Sequence, residues 1–141
     1  MPDIKHCIQI GAKPEQVYPL AATAHGFSEW WAADVIEAGG AVELGFYSRV
    51  TIYRLRLSVD QPPSQAEWKC ESGDEWGGTL ISFRLEPTAS GTRLWFTHAG
   101  WRAETDYFTS CNTTWGELMF RLKSAAEGKN PGPLFTRDGM A

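Results

Sequence analysis

A chain of 141 residues that is 43 % hydrophobic and 21 % charged has the composition of one globular domain able to bury its own core, not of a disordered segment. Its formal charge of −4, with no basic stripe, argues against a partner held by phosphate neutralisation, so nucleic acid is not expected. No run of about 18 apolar residues and no basic leader followed by an apolar core occurs, which predicts no membrane partner and a cytoplasmic protein.

Cys7, Cys70 and Cys111 are odd in number and show no C-x-x-C spacing, so they are expected as reduced, buried thiols and not as a disulfide or zinc framework. Asn112-Thr113-Thr114 spells a glycosylation sequon inside a helical pattern and is discounted.

Ile4, His6, Ile8 and Ile10 alternate with polar residues, the period of a half-buried strand that Gly11 ends. KPEQVYPLAAT carries a proline suited to a first helical turn, with Val17 and Leu20 at helical spacing, and reads as a short helix. HGFSEWWA makes a second brief helix with Phe27, Trp30 and Trp31 on one side.

Gly39-Gly40 breaks the chain. Beyond it five alternating segments read as strands: Val42-Leu44-Phe46, Tyr53-Leu55-Leu57-Val59, Ala66-Trp68-Cys70, Ile81-Phe83-Leu85 and Leu94-Phe96-His98. The connections DQPPSQ, SGDEWGG and PTASG are short and turn-rich, so the strands are expected to pair as antiparallel hairpins in a meander. After Trp101 the period changes. Phe108, Cys111, Trp115, Leu118, Met119, Leu122 and Ala126 form one stripe along a long helix that Gly128 and Pro131 stop. An irregular tail over 129–141 follows, with Leu134 and Phe135 able to dock on the body.

The segments IQIGAKPEQVYPLA, FSEWWA, TLISFRLEP, GTRLWFTHAGW and CNTTWGELMFRLKSAAEG, in this order, resemble the START-like or SRPBCC superfamily. Within it they are similar to the homologue of the activator of the heat-shock protein 90 ATPase. The resemblance runs to about Gly128, so residues 1–128 are expected as one domain. It implies an α+β helix-grip fold: a curved antiparallel β-sheet of seven strands wrapped around a long C-terminal α-helix, with two short helices after the first strand. It also implies an apolar cavity between sheet and helix. Members bind lipids, sterols, hormones or polyketides, and some are cyclases or aromatases.

Placed on that fold, the inward positions Trp31, Tyr53, Leu55, Trp68, Ile81, Phe83, Phe96, His98, Trp115 and Met119 are the candidate ligand contacts. His98 ends the apolar face of its strand and is read as a polar fixture at the cavity's edge; as a catalyst it would need a partner among Tyr53, His6, Tyr107 and Glu75. The acidic tip Asp74-Glu75-Trp76 is either solvated turn chemistry or a cavity lid. The spacing of His6, His25 and His98 suggests no metal, and no phosphate loop or nucleophile elbow suggests a cofactor.

The expectation is therefore a binding protein for a small hydrophobic or aromatic molecule. Two alternatives stay open: a cofactor-independent polyketide cyclase or dehydratase using His98 and Tyr53, and a chaperone-interaction module using exposed Trp95 or Trp101. A homodimer is also open.

Overall fold

A computed structural model describes residues 1–140. Ten elements follow one another: β1 (Ile4–Ile10), α1 (Pro14–Ala22), α2 (Ala24–Ser28), β2 (Asp34–Ala38), β3 (Ala41–Phe46), β4 (Thr51–Gln61), β5 (Gln65–Cys70), β6 (Leu80–Thr88), β7 (Gly91–Ala99) and α3 (Asp106–Ala126). The strands form one antiparallel sheet in the order β1-β7-β6-β5-β4-β3-β2, a meander from β2 to β7 with β1 added beside β7. The architecture is the α+β helix grip, with α3 packed across the apolar face.

The period-two pattern sets the register. Leu57 faces Trp68, Trp68 faces Ile81, Ile81 faces His98 and His98 faces Ile4, so one row of inward side chains crosses five strands. The opposite face holds an ion-pair network in which Arg54 bridges Glu43 and Glu71, and Arg56 also meets Glu71. Leu55, Trp68, Ile81, Phe83 and Phe96 are all buried, and the Trp68 indole N–H donates to the Ala21 carbonyl of α1 at 2.8 Å.

The two short helices plug one end of the sheet. Thr23 caps α2 by accepting from the Gly26 N–H at 2.9 Å, and the helix ends at Ser28. Trp30 and Trp31 thus lie in the turn beyond it, yet both are fully buried against Phe27. Thr105 caps α3 through the Phe108 N–H, and Phe108, Cys111, Trp115, Leu118, Met119 and Leu122 supply the buried stripe.

Four expectations need correction. The alternation count missed β2, because DVIEA exposes Glu37 and Ile36 and shows a weak period. Cys7 is exposed, since it points away from the core on β1 between His6 and Ile8. Trp101 is buried, packed edge-on against Phe108 and beside His98, and offers no docking surface. Ala126 is only half-buried at the last position of α3.

The tail after α3 is irregular but attached. The Leu134 N–H donates to the Trp30 carbonyl, the Phe135 N–H to the Trp31 carbonyl, and the Ala33 N–H to the Phe135 carbonyl. Arg121 holds the Pro131 and Gly132 carbonyls from α3.

Candidate functional site

A cavity of about 240 Å³ opens where β3, β4, the β5–β6 loop, the first half of α3 and the tail meet. Trp31, Phe46, Tyr53, Trp76 and Trp115 form its aromatic walls, and Phe135 and Met140 close it from the tail. Larger depressions between residues 11–16 and 87–91, and beside Gly39-Gly40, are open surface grooves.

The walls are built by ring packing. Trp76 lies flat on Tyr53, with centroids 3.9 Å apart and planes 9° apart. Trp31 meets Trp115 at 4.9 Å, and Phe135 stands edge-on to Phe46 at 5.0 Å. Gly73 makes the first stack possible: its φ is +99°, and a Cβ there would come within 2.7 Å of the Tyr53 ring. Thr105 donates to Glu75 at 2.5 Å, which ties the SGDEWGG loop to the start of α3.

At the mouth, the hydroxyls of Tyr53 and Tyr107 are hydrogen-bonded to each other. Tyr107 is 40 % exposed, whereas Tyr53 is buried. Burial pushes the Tyr53 phenol up to about 12 and raises Tyr107 as well, and it raises the Cys111 thiol. These three groups therefore hold their protons at neutral pH. Among the described residues the Trp76 indole N–H has no oxygen or nitrogen acceptor, only the sulfur of Cys111, a weak acceptor, beside it.

Behind the wall lies His98. The Trp115 indole N–H donates to His98 Nδ1 at 3.1 Å. An indole nitrogen only donates, so Nδ1 is the bare nitrogen and the imidazole proton sits on Nε2. That proton goes to Thr79 Oγ1 at 2.8 Å, and the Thr79 hydroxyl donates to the Trp76 carbonyl at 2.6 Å. One neutral imidazole thus orients two cavity walls, Trp76 and Trp115. Burial lowers its pKa to about 3.

Of the residues singled out from sequence, the structure brings Trp31, Tyr53 and Trp115 to the cavity. Leu55, Trp68, Ile81, Phe83, Phe96 and Met119 are buried elsewhere in the core, and His98 sits one layer behind the surface. The partners considered for His98 also separate: Tyr107 joins Tyr53 at the mouth, Glu75 accepts from Thr105, and His6 rests against α3 at Gly116. The sequence reading places Trp76 in a tip that is either turn chemistry or a cavity lid, and does not seat Phe135 or Met140 in the cavity. Its available signal was a large hydrophobe inside an otherwise acidic, glycine-flanked tip. Among the described residues no group of three His, Cys, Asp or Glu side chains is placed to hold a metal ion. No helix among them is long and apolar enough to cross a membrane.

The sequence model of the family described as Activator of Hsp90 ATPase homolog 1-like protein matches residues 11–127, most of the chain. The chain belongs to this family. Within the Activator of Hsp90 ATPase homolog 1-like family, the Aha1 dimer from Colwellia psychrerythraea, solved in solution, is 31 % identical. That likeness covers 92 % of this chain and 98 % of the relative, with a TM-score of 0.80. Protein MLL2253 from Mesorhizobium loti shares the fold at 15 % identity, a TM-score of 0.76 and coverage of 89 % and 97 %. DynU16, a putative protein of the dynemicin biosynthetic locus, shares it at 12 % identity and a TM-score of 0.74, covering 95 % of this chain and 50 % of its own. No curated protein sequence matches the chain. The cavity-lining Phe135 and Met140 fall outside the stretch that defines the family.

Proposed function

We propose that this member of the family is a binding protein that encloses a small hydrophobic or aromatic molecule in the cavity between β3–β4, α3 and the tail. The carrying observation is the cavity itself: about 240 Å³ walled by aromatic rings inside a well-packed domain. A pre-formed apolar space with a few converging polar groups is the composition of a ligand site. Natural cores close such voids, because each lost contact is destabilising.

The cyclase-like alternative has less support. Its catalytic pair is split, with Tyr53 in the cavity and His98 held behind Trp115 with both nitrogens engaged. The chaperone-docking alternative rests on Trp95, which is 37 % exposed on β7 and carries the Arg84 guanidinium over its ring. Self-association is proposed because the Colwellia relative is a dimer; sedimentation equilibrium showing only monomer at every concentration would count against it.

The test of the binding reading is a titration with naphthalene followed by tryptophan emission. One-to-one saturation is expected for the wild-type protein. Thr114→Trp, which fills the cavity from α3, is expected to abolish it while leaving the melting temperature unchanged. Failure of the wild-type protein to saturate, or equal binding by the filled variant, overturns the reading.

A further inference from the structure

The chemistry of the cavity narrows its occupant, on the premise that it is a binding site. None of its described lining residues carries a formal charge. The nearest carboxylate to make itself felt is Glu75, whose negative charge opposes ionisation of Tyr53 and Cys111. A carboxylate, phosphate or ammonium entering here would shed its hydration without a counter-ion, which is prohibitive in an apolar surround. An uncharged occupant is the consequence.

The polar groups present are unevenly matched. The Tyr53 and Tyr107 hydroxyls hold two protons, and their mutual hydrogen bond uses one. The second proton meets no oxygen or nitrogen acceptor among the described residues; beside the pair stands only the sulfur of Cys111, a weak acceptor. The Trp76 indole N–H, on a residue only 5 % exposed, likewise has no oxygen or nitrogen acceptor and only the same weak sulfur beside it. The Thr114 hydroxyl is already turned back to the Ser110 carbonyl of its own helix. The tyrosine pair and Trp76 thus present O–H and N–H donors, matched by no better acceptor than a sulfur, at one end of an aromatic chamber. A donor served only by sulfur gains from an oxygen acceptor that enters the site.

Size gives a third constraint. A cavity of about 150 Å³ takes benzene, so the 240 Å³ here admits a second fused ring. We propose that the occupant is an uncharged aromatic carbonyl compound of about two fused rings, its rings among the tryptophans and its carbonyl oxygen accepting from the Tyr53–Tyr107 hydroxyl pair. Phenyl ketones, naphthyl ketones and quinones share this chemistry; acids and amines of the same skeleton do not.

Four probes of one skeleton test it: naphthalene, 2-acetylnaphthalene, 2-naphthoate and 2-naphthylmethylammonium, titrated at pH 7.5 into the wild-type protein and into Tyr53→Phe/Tyr107→Phe. The ketone is expected to bind about 10-fold tighter than naphthalene, the scale of one hydrogen bond made in a desolvated site. Both ions are expected to bind at least about 10-fold more weakly than the ketone. In the double variant the ketone's advantage should shrink below about 3-fold while naphthalene binding is unchanged, which also certifies that the variant is folded. An ion binding as tightly as the ketone, or a ketone advantage that survives the double variant, overturns this inference and leaves the binding reading standing. Failure of every probe to saturate overturns both.

Discussion

His98 and Trp115 are joined by a hydrogen bond from the indole N–H to Nδ1 at 3.1 Å, and that contact fixes which imidazole nitrogen carries the proton. The imidazole is neutral in the fold and titrates near 3, against about 6.5 in an unfolded chain. Between those values the unfolded chain binds the extra proton, so falling pH favours unfolding. The stabilisation is complete above about 6.5 and is lost progressively below it, at up to about 1.4 kcal/mol per pH unit. Urea unfolding at pH 7.5, 5.5 and 4.5 should show this loss. His98→Gln, which does not titrate, should show a shallower acid dependence at a cost of about 1 to 2 kcal/mol at pH 7.5. An unchanged acid slope in the variant would remove His98 as the source.

Trp115→Phe keeps most of the ring but leaves Nδ1 of a fully buried His98 without a donor. The expected loss is about 1 to 3 kcal/mol. Trp115→Glu places an unpaired charge at a position that is 2 % exposed, and no cooperative unfolding transition is expected. Circular dichroism with thermal unfolding decides. A cooperatively folding Trp115→Glu protein would contradict the seat of α3.

Phe135→Ala removes the ring that stands against Phe46 and Tyr47 and forms one cavity wall. Because Phe135 is half-buried, the cost should fall below that of a core phenylalanine, at about 2 kcal/mol. Removing that wall widens the cavity, so pyrene should gain affinity as naphthalene loses it. Identical probe selectivity in the two proteins would show that the tail takes no part in selection.

Gly26→Ala tests the seam between α1 and α2. A Cβ there would lie 2.1 Å from the Pro19 carbonyl oxygen and 2.6 Å from Leu20 Cα, and both obstacles are backbone. The helices must separate, at a cost of at least about 2 kcal/mol. Chemical denaturation gives the number, and a change under 0.5 kcal/mol would show that the seam yields.

Much of the fold was legible because alternation and helical spacing are local. Val42 to Phe46, Ile81 to Leu85 and Leu94 to His98 announce their strands by period two, and Phe108 to Leu122 announces the stripe of α3. Inward-facing Trp68, Phe83 and Phe96 followed from the same rule. β2 was harder, since an edge strand with one half-buried valine and an exposed isoleucine has almost no period to read.

The cavity was not legible in the same way. Period assigns a side chain to a face, but not to a packed or an empty part of that face. α1, α2 and the turn holding Trp30 and Trp31 fill the space over Trp68, Ile81 and Phe83, so the open volume falls to one flank. Trp76 comes from a loop and Phe135 from the tail, and both arrive through long-range contacts that no window of sequence contains. By itself, then, the sequence determined most of the elements, their inward faces and the family, because these rest on spacing and residue order. Only the tertiary structure decided where the sheet and α3 stand apart, and that His98 serves the wall from behind, because both depend on how separate elements share one volume.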